Sequence, residues 1–168
     1  MKSNEAQAIY LQYSALHQAH KLAPTLFTTG WCTQILTMVM AAVKPSWLVV
    51  GITKAALEEF AKADFHFYST KQQGITRAHL RPRIDTVREL LAPSKPLSES
   101  ELLAIWFAND RTILCARGEN KTTVPEYIPI ENADGALFSA TMVAWKHGKP
   151  EQELLRSLSI CESLPAVA

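Results

Sequence analysis

The residues best suited to chemistry crowd into one stretch, ITRAHLRPRIDTVRELL at positions 75–91, which carries Arg77, His79, Arg81, Arg83 and Arg88. A guanidinium presents a planar fork of donors that matches phosphate or carboxylate oxygens two at a time, which an ammonium does not. An extended backbone over 75–81 turns Arg77, His79 and Arg81 to one side. A helix running through would instead align Arg77, Arg81 and Arg88 along one stripe. From Lys62 to Lys95 there are seven basic residues against three acidic ones, an excess of +4 in a chain whose net charge is only +1. A phosphate-rich partner, nucleic acid above all, is the functional reading. Lys146 and Lys149 add two cations beside His147, where the start of a last helix offers amides to an anion. The plainer reading is a solvated face in which Arg88 pairs with Asp85 or another nearby acid, and 146–149 is simply a polar loop.

A second constellation is Glu119-x-Lys121, behind Asp110 and a β-rich run. It resembles the D…E-x-K signature of restriction-endonuclease-like nucleases. The resemblance implies that Glu119 helps hold a Mg²⁺ ion while Lys121 assists the attacking water. With a strand over 111–117, Asp110 and Glu119 stand roughly 30 Å apart, so Asp85 or Glu101 would have to supply the other carboxylate. Outside this nuclease alternative no cofactor is expected, and no metal ligands are assigned. His17 and His20 are spaced for a helical metal pair, but no third ligand accompanies them and a packed role is expected. His66 stands among aromatics. Cys115 falls in an expected strand with no evident base. A Gly-rich phosphate loop, a G-x-S-x-G elbow and an H-E-x-x-H helix are all missing from the sequence.

The elements that would carry these groups follow from periodicity and punctuation. Ile9, Tyr13, Leu16 and His20 share a helical face within 4–22, which Pro24 ends. A second helix is expected over 31–43, with Ile35, Val39 and Val43 on one side and Leu36 and Met40 close by, stopped by Pro45. Residues 46–52, SWLVVGI, read as a strand or a buried connector. Thr53 caps a helix over 54–63. DFHFYST reads as a weak strand and KQQG as a turn. Pro82 costs about 3 kcal/mol inside a helix but is favourable at its first position, so a helix is expected from Pro82 to Leu91. Ser98 and Glu101 make a capping box for the next. From Arg111 the period becomes two, and 111–117, 124–130 and 136–145 read as three strands. They are separated by the GENKTT turn and by a turn at Asp134-Gly135. A last helix covers 151–160. The helix–three strands–helix order over about 65 residues resembles the double-stranded-RNA-binding domain, with KHGKPEQELL near that fold's phosphate contacts. Neither resemblance spans the chain.

The expected fold is therefore α+β. A helical N-terminal half, about 1–92, packs with a C-terminal three-stranded antiparallel sheet flanked by helices, about 97–162, as one domain over 1–168. Hydrophobic residues make up 48% of the chain and mean hydropathy is −0.01, which excludes global disorder. Charge balance excludes a generally cationic coat. Residues 26–43 are apolar, yet polar residues interrupt them, so a core helix and not a membrane span is expected. Three scattered cysteines and a polar N-terminus suggest a cytoplasmic setting. Three functions fit, in this order: a small cytoplasmic nucleic-acid-binding protein, a metal-dependent nuclease, and a non-catalytic protein-interaction or homo-oligomerisation module assembled through the first two helices.

Overall fold

The computed structural model describes residues 3–41, 43–121, 124–140 and 145–163. Seven helices and four strands are formed by these residues: α1 (Ser3–Leu22), α2 (Thr29–Met40), β1 (Leu48–Ile52), α3 (Lys54–Lys62), α4 (Thr70–Gln73), β2 (Ile75–His79), α5 (Arg83–Leu91), α6 (Glu99–Asn109), β3 (Arg111–Ala116), β4 (Ile128–Pro129) and α7 (Lys149–Ser163). The class is α+β, with the strands joined in one mixed sheet of order β2-β3-β1-β4.

The expected three-stranded antiparallel sheet is corrected here. Two of the four strands, β1 and β2, come from the half expected to be helical. They are short, and β2 buries only Ile75 and Ala78, in a stretch whose charged residues mask those apolar positions. The segment 124–130 contracts to the pair Ile128–Pro129, antiparallel to Gly51–Ile52. Its two prolines, Pro125 and Pro129, each remove a ladder donor, and past them the Ile130 amide bonds the Val50 carbonyl. Of 136–145, residues 137–138 are in a turn and Ala140 pairs with Trp145 as an isolated bridge. Residues 141–144, like the Thr122 and Thr123 end of the GENKTT turn, lie outside the described residues. DFHFYST is not a strand, and KQQG belongs to α4, closed by Gly74 in the left-handed conformation.

Other expectations hold. Thr53 accepts from the Ala56 amide to cap α3, and Ser98 and Glu101 form the full capping box of α6. Pro82 stands one residue before α5. The helix expected over 31–43 is corrected: α2 ends at Met40, its buried stripe is Cys32–Leu36–Met40, Ile35 and Val39 are half-buried beside it, and Val43 lies past its end.

The chain forms two compact units, each made of two separate segments: residues 1–47 with 79–111, and 48–78 with 112–168. In the first unit α1 packs on α2, α2 on α5, α5 on α6, and α6 on α1, closing a ring of four helices. Tyr13, Leu36, Leu90, Leu102 and Trp106 fill it. The Tyr13 hydroxyl donates to the Leu90 carbonyl at 2.8 Å and accepts from the Leu97 amide at 3.1 Å. The second unit packs α3 and α7 together, over a core of Val49, Ile52, Phe60, Ile75, Leu114, Phe138 and Leu155. There the Asn132 side chain donates to the Val49 and Leu137 carbonyls and accepts from the Leu137 amide.

Candidate functional site

The most charged buried point of the helical unit is Asp110. Helix α6 ends at Asn109, and the Asp110 amide closes its last turn onto the Trp106 carbonyl. The carboxylate is thereby fixed where only 2% of the side chain is exposed. Oδ1 accepts from His79 Nε2 at 3.2 Å and from Arg83 Nε and the Arg83 terminal nitrogen at 3.1 and 2.8 Å. Oδ2 accepts from the Trp47 amide at 2.8 Å. Trp47 has φ +59, a costly value for a bulky residue, and the bond to Asp110 helps hold it there. Its ring lies 3.8 Å from the Arg83 guanidinium carbon and 5.0 Å from the His79 ring. Burial by itself would raise the Asp110 pKa. The His79 hydrogen bond, the Arg83 charge and the Trp47 amide outweigh it and hold the group at about 2. A carboxylate with both oxygens so engaged is a weak base and has little left for a metal. It works as a tie among Trp47, His79, Arg83 and the end of α6.

The other arginines are also engaged within their own units. Arg77 donates to the Phe138 carbonyl at 2.6 Å and lies over the Trp145 ring. Arg81 pairs with Glu89 at 2.6 Å, and Arg88 pairs with Asp85, as the plainer reading expected. Arg77 belongs to the second unit and Arg81, Arg83 and Arg88 to the first, so their sequence proximity divides between two bodies.

Glu119 lies at the turn after β3, where Oε2 accepts from the Thr53 hydroxyl and the Ala116 amide, both at 2.6 Å. Lys121 is exposed nearby in sequence. Among the described residues no three His, Cys, Asp or Glu side chains converge as a metal site. His17 and His20 each bond a carbonyl, of Pro93 and Phe27 respectively. His66 is exposed and stacked on Tyr68. Cys115 is buried against the Thr76 hydroxyl, and burial pushes its thiol pKa up.

His147 departs most from a surface loop. Its ring stacks on Phe60 at 5.2 Å, nearly parallel, and Nε2 bonds the Phe65 carbonyl at 2.8 Å. That bond requires the proton on Nε2. Burial lowers the His147 pKa, against the opposing pull of the Phe65 carbonyl and Glu151. Lys146 and Lys149 are exposed, Lys149 3.8 Å from Glu153. The buried Glu151 carboxylate accepts from the Gly148 and Phe138 amides, so the entry to α7 holds an anion from the chain itself.

What the chemistry-bearing residues leave aside is an apolar surface on the helical unit. Gly30, Trp31, Gln34, Met38 and Ala41 are all exposed, at helical spacings, on the side of α2 opposite Cys32, Leu36 and Met40. Trp31 is 55% and Met38 77% exposed, and Leu22 and Leu26 near the α1–α2 connection are 88% and 70% exposed. From Leu22 to Val43 there is not one charged residue or histidine. The signal in the sequence was this uncharged run itself, in which both faces of the helix are apolar. No helix among the described residues is long and apolar enough to cross a membrane.

No protein-family model matches the chain, and no curated protein or solved structure shows significant similarity to it.

Proposed function

We propose that this chain is a non-catalytic protein-interaction module that assembles through the outward face of α2 and the adjoining α1–α2 connection. The observation that carries the reading is the exposure of Trp31 and Met38 on a helix face without charge. Scattered exposed apolar residues are ordinary, but a contiguous uncharged set marks an interaction surface. Aromatic and methionine side chains are enriched in interface cores and charged ones depleted. We rank it ahead of phosphate binding because each arginine of 75–91 is already engaged by an oxygen of its own unit. Arg81 and Arg88 sit in exposed pairs worth less than about 1 kcal/mol, which a phosphate could displace. Arg83 could not be released without stranding Asp110 in the interior. The metal-dependent reading would need carboxylates gathered around Glu119.

The test is the mass at which the protein elutes from a cell extract, for wild type and for a Trp31→Asp/Met38→Asp variant. The interaction reading expects wild type in a heavier complex and the variant at monomer mass. Monomeric wild type that instead binds oligonucleotides in a salt-sensitive manner, lost in Arg81→Ala/Arg88→Ala, would favour the nucleic-acid reading.

A further inference from the structure

Building on that reading, we infer that the partner of α2 is the α2 of a second copy of this chain, crossing antiparallel about a two-fold axis at Gln34. The exposed residues Gly30, Gln34 and Met38 are evenly spaced at four residues, so they form one i±4 ridge with Gln34 at its centre. A two-fold axis through the middle of a ridge pairs each residue with its mirror position along it. Gln34 then meets Gln34, and Gly30 meets Met38. This is the condition for an isologous interface, in which a patch complements itself.

The side chains suit that pairing. Gly30 leaves a gap: a Cβ there would meet only the Thr28 hydroxyl, at 3.9 Å. Met38, the flexible and polarisable member of the set, is the knob for that gap. Trp31 stands beside Gly30, where its ring can cover the incoming thioether. The two Gln34 amides can exchange hydrogen bonds across the axis, each supplying donor and acceptor.

Charge also points to a second copy. Any charge near a two-fold axis faces its own image, and the stretch from Leu22 to Val43 carries none. A membrane surface would call for a basic rim on the helix, and α2 has none. On α2 itself the large exposed apolar side chains are Trp31 and Met38, a patch smaller than an average interface. Specific interfaces average about 800 Å² per partner, so the pairing belongs to the smaller, reversible class.

Sedimentation equilibrium across the micromolar range tests this with wild type, Gln34→Lys, Gln34→Glu and an equimolar mixture of the two variants. Both substitutions are on an exposed helical position and keep a good helix former. Wild type is expected to dimerise reversibly, each variant alone to be monomeric, and the mixture to recover the dimer. Register follows from oxidising a mixture of Gly30→Cys and Met38→Cys proteins, each also carrying Cys161→Ser. Antiparallel pairing gives the crosslinked heterodimer, whereas each variant crosslinking with itself overturns the geometry. Monomeric wild type throughout overturns the self-pairing. If wild type still elutes from extract in a heavier complex that the Trp31→Asp/Met38→Asp variant loses, the wider interaction reading survives that failure. If that complex is also missing, both fall.

Discussion

Asp110 and the arginines separate two kinds of ion pair. Arg81–Glu89 and Arg88–Asp85 lie in water, where pairs contribute less than about 1 kcal/mol. Arg83–Asp110 is buried, and removing one partner strands the other, so Asp110→Ala is expected to cost about 3 kcal/mol in urea unfolding. Arg88→Ala should move the same midpoint barely at all. The pH dependence follows from the depressed carboxyl. Its folded pKa of about 2 lies below the unfolded value, so the stabilisation is complete above that unfolded value and disappears as pH falls toward 2. On the order of 2 kcal/mol should be lost between pH 4 and 2 in wild type and not in Asp110→Asn, read by denaturant midpoints at each pH. Acid unfolding that is identical in the two proteins would contradict this role. The arginine types were plain in the sequence, but their partners were not. Arg83 finds Asp110 twenty-seven positions away through the path of α5 and α6, and Arg77 finds a carbonyl sixty-one positions away.

Helix ends were the most readable elements because their signals are local. Thr53, Ser98 with Glu101, and Pro82 needed only neighbouring residues, and Ser98→Ala should lower stability by about 1 kcal/mol. Strands needed distant partners, so 136–145 read as alternating when residues 137–138 turn, and β2 was hidden in a basic segment. At β1 and β4 the approach is close. A Cβ at Gly51 would overlap the Tyr127 ring and press on the Ile128 carbonyl at 3.0 Å. Gly51→Ala should therefore displace β4 at a cost of about 1 to 3 kcal/mol, seen as lost protection of the Ile130 amide, which bonds Val50. The neutral His147 inside α7's approach adds a second acid response. Its pKa is lowered by burial, so the unfolded chain binds the proton first and stability declines as pH falls below about 6.5. His147→Phe should flatten that decline, measured by thermal unfolding across the same range. An unchanged slope would show that the ring does not titrate as its burial requires.

At the scale of the molecule, neither compact unit is a continuous piece of chain. The helical ring needs α6 as well as α1, α2 and α5, and the sheet needs β3 as well as β1 and β2. A fragment ending at Ala92, just before the Pro93–Pro96 segment, lacks Trp106 and Leu114 from the two cores and should not give a cooperative unfolding transition. Periodicity and turn signals made the α+β class visible, and an uncharged run made the apolar second helix visible. The outward face of that helix was masked because burial and exposure look alike in an uncharged run. The central claim is that this face pairs with the same face of a second copy of the chain. The measurement that tests it most directly is the dilution series of amide and indole NMR shifts on the purified protein. The account predicts that Gly30, Trp31, Gln34 and Met38 move together with concentration while Arg81 and Arg88 stay fixed. Invariant α2 signals, with Arg81 and Arg88 responding to added oligonucleotide, would contradict it.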